Sequence, residues 1–222
     1  TILAHGHPGS SLLVDGTHTI DLVRFFLNDA PVSWVFGQID DSALREAWSH
    51  PAETAALGWI GFASGVRCLL TDGGVRLDGR LEGLGRDVTG PNYHHITLLG
   101  SAGQLNIGGD HVDTGTPMVT VQRGPVQEEV PLPWPLAGDD MHLPPFSEEI
   151  RVLLRCLETG APHPLAAAGA RTTLEVLLAI YESARRRAVV ALPLEVRDNP
   201  LFALREALTQ PAIPLQPGSL KQ

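Results

Sequence analysis

The residues with the clearest capacity for chemistry lie near the start of the chain, where one histidine stands between two carboxylates. Residues 15–21 read DGTHTID, so His18 has Asp15 three residues before it and Asp21 three residues after it. An imidazole titrates near neutral pH, and a neighbouring carboxylate can fix its tautomer. This grouping is suited to moving a substrate proton. For Asp21, stabilisation by a helix dipole is an alternative to a functional role.

Further histidines offer a second kind of site. His5 and His7 are separated by one residue, a spacing that can place two imidazoles on one strand face as metal ligands. The spacing to the remaining histidines is irregular, however, and we expect His5 and His7 to line a substrate cleft and no metal to be bound. His95 begins an apolar run, where it either contacts substrate or packs in an interface.

Composition excludes several classes of partner. The 222 residues carry a net charge of −9, which disfavours binding to a nucleic-acid backbone. The sequence contains no run of about 18 apolar residues, so no membrane span is predicted. Cys68 and Cys156 stand in apolar surroundings and are expected to be reduced, buried residues of a cytoplasmic protein. Lys221 is the only lysine, so we expect no lysine chemistry.

The first elements that must position these residues follow from hydrophobic spacing. Apolar residues at helical intervals predict a helix over Thr17–Leu27, with Thr17 as its N-cap. A mixture of β-branched and aromatic residues predicts a strand over Val32–Ile39. Ser42–His50 is predicted to form a short surface helix.

The middle of the chain alternates short apolar runs with glycine-rich breaks, a pattern that predicts an antiparallel meander. The predicted strands are Leu57–Ala63, Val66–Thr71, Tyr93–Leu99, Gln104–Ile107 and Met118–Gln122. Five prolines within residues 131–145 predict an extended connection.

Helical spacing returns after this connection. We predict helices over Phe146–Leu157, capped by Ser147 and ended by Gly160, and over Ala170–Arg187. A closing strand over Val189–Leu192 and a short helix over Pro200–Leu208 follow.

This order of elements predicts an α+β fold, with an open, mainly antiparallel sheet and helices packed on one face. Residues 1–194 are expected to form one domain and residues 195–222 a C-terminal extension. The other sheet face would be apolar and open, and such a face is usually covered by a partner.

Several segments together resemble the C-terminal domain of the glucose–fructose oxidoreductase/inositol dehydrogenase (Gfo/Idh/MocA) family. The resemblance covers most of residues 10–194 and is most distinctive in AIYESA at 179–184 followed by VALP at 190–193. The other matching segments are DGTHTIDL at 15–22, GSAGQL at 100–105, and the helices Glu149–Gly160 and Thr173–Pro193.

The resemblance implies an NAD(P)-dependent oxidoreductase acting on a sugar, cyclitol or related polyol, assembled as a homodimer or homotetramer through the open sheet face. The family's active-site histidine maps onto His18, with Asp15 as the carboxylate beside it. While hydride leaves the carbinol carbon, a base must remove the hydroxyl proton. His5, His7, Asp21 and His95 are the candidate substrate contacts.

The sequence departs from the family pattern at the active-site acid and in the elements that bind the cofactor. Asp15 precedes His18 by three residues where the family commonly has four, and Val14 stands at the usual acid position. Neither a Gly-x-Gly-x-x-Gly after a strand nor the family's Glu-Lys-Pro lysine is present. We therefore expect the nucleotide-binding domain to be missing, and this chain alone to be inactive. The alternatives are a stand-alone sugar-binding or oligomerisation module and a metal-dependent hydrolase using His5 and His7.

Overall fold

A computed structural model describes residues 1–6, 11–40, 45–47, 50–53, 55–73, 95–108, 119–131 and 143–209. In these ranges the strands are β1 Ile2–His5, β2 Val32–Asp40, β3 Arg45–Ala47, β4 His50–Ala52, β5 Ala55–Phe62, β6 Arg67–Gly73, β7 His95–Gly100, β8 Gly103–Ile107, β9 Val119–Arg123, β10 Val126–Glu129 and β11 Val190–Ala191. The helices are α1 Asp15–Phe26, α2 Leu143–Thr159, α3 Ala167–Arg186 and α4 Pro200–Thr209.

Nine strands form one sheet in the order β10-β9-β8-β7-β1-β6-β5-β2-β11, and β3 pairs with β4 in a separate small sheet. All neighbours in the large sheet are antiparallel except β1 and β6, which run parallel. The predicted α+β class is confirmed. The predicted unbroken meander is wrong at one point, because β1 is inserted between β6 and β7.

The predicted strands of the large sheet are confirmed to within a few residues, but one predicted helix is wrong and one strand was not predicted. Ser42–His50 is not a helix, since Arg45–Ala47 is a strand that pairs with one beginning at His50. Pairing has overridden the local helix preference of this stretch. β10 was not predicted, because the sequence Val-Gln-Glu-Glu lacks apolar alternation.

Both predicted helix caps are wrong. α1 begins at Asp15, after a turn in which Ser11 O accepts the Val14 and Asp15 N–H groups at 2.9 and 3.0 Å. Thr17 is already inside the helix and its hydroxyl donates to Val14 O at 2.6 Å. α2 begins at Leu143, four residues before Ser147. Its first turn admits two prolines because the first N–H groups of a helix have no intrahelical acceptor.

The core lies between one sheet face and the two helices α1 and α3. α3 crosses β2 so closely that a Cβ atom at Gly37 would lie 2.5 Å from Ile180 O. Glycine at this position therefore sets the helix-to-sheet distance. The largest buried apolar side chains come from α1, α3 and the central strands, and include Ile20, Val23, Ile60, Leu70, Ile96, Val176, Leu177 and Ile180. Cys68 belongs to this core, as predicted, and burial raises its thiol pKa to about 12.

The opposite sheet face has no helix packed on it among the described elements. We call this face the open face; it is defined by Leu3, Trp34, Trp59, Leu69 and Thr97. Trp59 is 52% exposed, and the Arg67 guanidinium lies 5.2 Å from the centre of the Trp34 ring. α2 also exposes an apolar stripe, composed of Phe146, Ile150, Leu153, Leu154 and Leu157. No described helix is long and apolar enough to span a bilayer.

The C-terminal end of α3 is fixed by a buried carboxylate. Glu182 is fully buried; its Oε2 accepts Arg185 Nε at 2.8 Å and its Oε1 accepts Arg185 Nη2 at 2.7 Å. Arg186 Nε also donates to Oε1. The hydrogen bond from Arg185 lowers the pKa of Glu182, and burial opposes this effect.

We expect Glu182→Gln to reduce the free energy of unfolding at neutral pH by about 1.5 kcal/mol, because hydrogen bonds to charged groups are lost while the half-exposed guanidinium groups rehydrate. Since the folded-state pKa is depressed, this stabilisation exists above the unfolded-state pKa and disappears as pH falls through the folded-state pKa. Urea unfolding between pH 7 and about pH 3 should therefore show a shallower acid-induced loss in the variant than in the wild type.

The matched control is Glu148→Gln, which breaks the exposed 3.2 Å pair between Glu148 and Arg151. An exposed pair contributes about 0–1 kcal/mol. Parallel pH profiles for wild type and Glu182→Gln would contradict the assigned role of Glu182.

Candidate functional site

The first turn of α1 presents the predicted proton-transfer residues. Asp15 is half-buried at the first helical position and His18 is exposed one turn later. Residues three apart on a helix are surface neighbours, so the carboxylate and the imidazole lie on the same side of α1. An acid at this end also interacts favourably with the helix dipole. The geometry is suited to an imidazole that meets a substrate from solvent with a carboxylate beside it.

The turn that leads into α1 is fixed on its core side by a buried carboxylate, which is not among the residues predicted from the sequence. Glu53 is only 5% exposed. Its Oε1 accepts the Leu12 backbone N–H at 2.5 Å, and its Oε2 accepts the Tyr181 hydroxyl at 2.9 Å. Burial raises the pKa of Tyr181 far above its usual value, and the nearby Glu53 and Asp72 carboxylates raise it further. Tyr181 therefore stays a neutral hydrogen-bond donor.

A second buried carboxylate lies against the same turn. Asp72, near the end of β6, is 1% exposed. A Cβ atom at Gly6 would lie 2.0 Å from Asp72 Oδ2, and one at Gly16 would lie 3.5 Å from it. The carboxylate thus fits between the residue that follows β1 and the first turn of α1, in space that glycines leave open. We call Glu53, Asp72 and Tyr181 the acidic anchor.

The residues of the acidic anchor have only weak signals in the sequence. Asp72 precedes two glycines, a pattern typical of a turn, and Glu53 is an isolated acid in a proline- and alanine-rich stretch. Tyr181 and Glu175, both polar residues on the predicted helix over residues 170–187, are predicted to be structural hydrogen-bonding groups. Both predictions are confirmed, because Tyr181 donates to Glu53 and Glu175 Oε1 accepts the Leu194 N–H at 2.9 Å.

Two of the predicted substrate contacts, His5 and His95, lie together on the sheet, at a position separate from the first turn of α1. His5 of β1 is directly opposite His95 of β7 and lies beside Thr71 of β6. His5 Nδ1 and Thr71 Oγ1 are 2.7 Å apart. Because Ala4 faces the core, strand alternation places His5 and His95 on the side of the open face, away from the packed helices. His7 lies outside the described residues.

Asp21 lies in a network that joins α1 to α3. Its Oδ1 accepts the Thr173 hydroxyl at 2.9 Å, and Arg24 Nη1 lies 3.5 Å away. Arg24 is itself buried and donates to Thr173 Oγ1 at 2.7 Å, Gly169 O at 2.8 Å and Asp29 Oδ1 at 2.8 Å. The Asp21 side chain remains 47% exposed, so substrate contact stays a prediction beside this structural bond.

The described residues do not fit a dinucleotide. Such sites are built at the carboxyl ends of parallel strands with a glycine-rich turn into a helix. In the described part of the sheet only β1 and β6 are parallel. Among the same residues, no three His, Cys, Asp or Glu side chains are grouped so that they could hold a metal ion.

Comparison with known proteins identifies the class of fold. No protein-family model and no curated protein matches the chain. Solved structures do match it, among them oxidoreductases and dehydrogenases. The resemblance inferred from the sequence is therefore confirmed at the level of the fold, because the chain shares the architecture of a part of these proteins.

Three of these structures illustrate the similarity. A levoglucosan dehydrogenase in complex with NADH and levoglucosan is 16% identical, with a TM-score of 0.59, covering 87% of this chain and 58% of that one. An oxidoreductase from Agrobacterium radiobacter in complex with NAD+, L-tartaric acid and magnesium is 15% identical, with a TM-score of 0.59 and coverage of 86% and 56%. An aldose–aldose oxidoreductase from Caulobacter crescentus complexed with glycerol is 18% identical, with a TM-score of 0.58 and coverage of 86% and 55%. The chain thus spans just over half of each neighbour.

Proposed function

We propose that this chain is the substrate-binding and dimerisation domain of an NAD(P)-dependent oxidoreductase that acts on a sugar, cyclitol or related polyol. The observation that carries the proposal is the first turn of α1, where an exposed His18 has Asp15 on the same side of the helix. The shared fold supports it, since the similar structures include proteins solved with NADH and levoglucosan or with glycerol.

In this proposal His18 accepts the proton of the substrate hydroxyl, and Asp15 orients the imidazole and stabilises its charged form. A nicotinamide serves as the hydride acceptor when it is bound, and in this proposal a further, nucleotide-binding domain of the protein holds it. General-base catalysis of this kind requires the imidazole nitrogen to reach within hydrogen-bond distance of the hydroxyl. An exposed side chain on the first turn of a helix can meet that requirement.

His5, His7, Asp21 and His95 are proposed as substrate contacts. Of these, His5 and His95 are the pair that lies together, and both present donors and acceptors suited to a polyhydroxylated ligand. The open face is proposed as the surface of a homodimer or homotetramer. Its exposed Trp59 supports this, because large apolar groups in a contiguous patch mark interaction surfaces. The cytoplasmic location stays a prediction.

The second candidate is a stand-alone sugar-binding or oligomerisation module without catalysis. It is favoured by one observation, namely that His5 and His95 lie directly opposite each other and offer hydrogen-bonding groups to a sugar from within this chain. The two candidates differ in what the native gene produces, since the oxidoreductase requires a further domain of about 120–150 residues.

The test begins with the protein purified from its source cells under the native gene. We expect a mass that includes the additional domain and reduction of NAD+ or NADP+, followed by absorbance, when a panel of aldoses, anhydrosugars and cyclitols is supplied. A mass that matches this chain, together with polyol binding by calorimetry and no nicotinamide reduction, would replace the oxidoreductase by the binding module.

A further inference from the structure

We propose that Glu53 and Tyr181 are positioning residues for the proposed active site, which they serve by fixing the turn that carries Asp15 and His18. The inference rests on the proposed function and adds residues that the sequence analysis did not place at the site. It concerns a chain of contacts from α3 to the start of α1.

The first step is that the N-terminus of α1 is not stabilised by a side-chain cap of its own. The N-cap residue Val14 makes no side-chain hydrogen bond to the helix. The position of the first turn of α1 therefore depends on the turn that precedes it. Leu12 of that preceding turn is fully buried, and its backbone N–H donates to Glu53 Oε1 at 2.5 Å. Movement of Leu12 would be passed to Asp15, because the Asp15 N–H is bonded within the same turn to Ser11 O at 3.0 Å.

The second step is that Glu53 is itself fixed by α3. Its other oxygen accepts the Tyr181 hydroxyl at 2.9 Å, and the Tyr181 side chain is fully buried in the core. Burying a carboxylate is costly unless it is hydrogen-bonded, and an apolar residue of similar size would fill the space at lower cost. A buried carboxylate at this point fixes two elements relative to each other, because one of its oxygens accepts a backbone N–H from one element and the other accepts a hydroxyl from the second.

The third step is that the anchor reaches the proton-transfer pair from the core side. Asp72 Oδ2 lies under Gly16, the residue that follows Asp15. His18 is exposed on the outside of the same turn. Glu53 and Tyr181 are both buried, so in this proposal they contact no substrate and act by fixing the position of the start of α1.

The test compares Tyr181→Phe, Glu53→Ala and Glu53→Gln in the complete protein, with Ser183→Ala as the matched control. Ser183 is buried on the same helix, and its hydroxyl donates to Ala188 O and accepts the Gly37 N–H at 2.8 Å, so these two hydrogen bonds lead to β2 and to the end of α3. Hydrogen exchange of the Leu12 and Asp15–His18 amides is measured together with kcat, KM and the pH profile.

We expect exchange of these amides to accelerate about tenfold in Tyr181→Phe, in keeping with the loss of one hydrogen bond. In the same variant kcat should fall about tenfold with KM for the polyol changed less than about twofold, because positioning and not binding is impaired. Glu53→Gln retains an acceptor for Leu12 and should recover most of the activity lost in Glu53→Ala. Ser183→Ala should lower the melting temperature without either effect.

Unchanged exchange and kcat in Tyr181→Phe would overturn the inference, as would equal losses in Ser183→Ala. If Glu53→Ala does not fold, Tyr181→Phe decides alone. Failure of the proposed function looks different, because turnover would then be insensitive to His18 while the exchange measurement still reports whether the anchor holds the turn.

Discussion

Replacing His18 by alanine in the complete protein is expected to slow polyol oxidation by about 10²–10⁴-fold, the usual contribution of a positioned general base. The imidazole lies on the surface of α1 and is not among the buried core residues, so the variant should fold normally. The loss should fall mainly on kcat, and the limb of the kcat/KM pH profile that reports the base should disappear. Steady-state kinetics with the cognate polyol provides the measurement.

The matched control is His163→Ala, which removes a histidine from the connection between α2 and α3. There the imidazole Nδ1 accepts the Leu165 N–H at 3.1 Å, far along the chain from α1. This variant should retain full activity. Unchanged turnover in His18→Ala would rule out His18 as the base and with it the proposed chemistry of this turn.

Replacing Gly37 by alanine is expected to reduce the free energy of unfolding by about 3 kcal/mol, the upper end for overpacking a core. The added Cβ would lie 2.5 Å from Ile180 O and 2.8 Å from Ile180 Cα. Both are backbone atoms of α3, so no side-chain rotation can make room and the helix must move away from β2. Equilibrium unfolding in denaturant, read as a shift in midpoint at constant slope, measures the cost.

Gly100→Ala provides the comparison, since it is also a strand glycine and its Cβ would meet only Gly103 O at 3.5 Å. We expect a small change there. If Gly37→Ala and Gly100→Ala unfold at the same midpoint, the direct contact between α3 and β2 is not what fixes the helix on the sheet.

Local periodicity was enough to predict much of the fold. β2 and α3 carry apolar residues at strand and helix spacing over 9 and 20 residues, and both were found with ends shifted by a few residues. β10 carries no such signal, and β3 with β4 lies in a stretch whose composition favours a helix. In these cases pairing with another strand determined the structure, and such pairing cannot be predicted from a short stretch of sequence.

The candidate site likewise contains residues that could be predicted from the sequence and residues that could not. His18 and Asp15 could be proposed from the sequence because they stand three residues apart at the start of a helix, and His18 also occupies the histidine position of a family motif. Glu53 and Tyr181 are 128 residues apart, and their bond exists only because α3 returns across the sheet above β2. Neither residue has a neighbour in sequence that suggests the other. Contacts of this kind depend on the completed packing, whereas motifs depend on local spacing.

The place of β1 in the sheet has a consequence for the order of folding. On one side the described strands β2, β5 and β6 pair antiparallel with near neighbours in the chain, and on the other side β7 to β10 do the same. The two groups are joined in the sheet only by the first strand, which bonds β6 and β7. Contacts between distant residues form slowly because the loop between them must close first. The four residues of β1 are therefore expected to find both of their partner strands late, as the step that joins two preformed half-sheets into one.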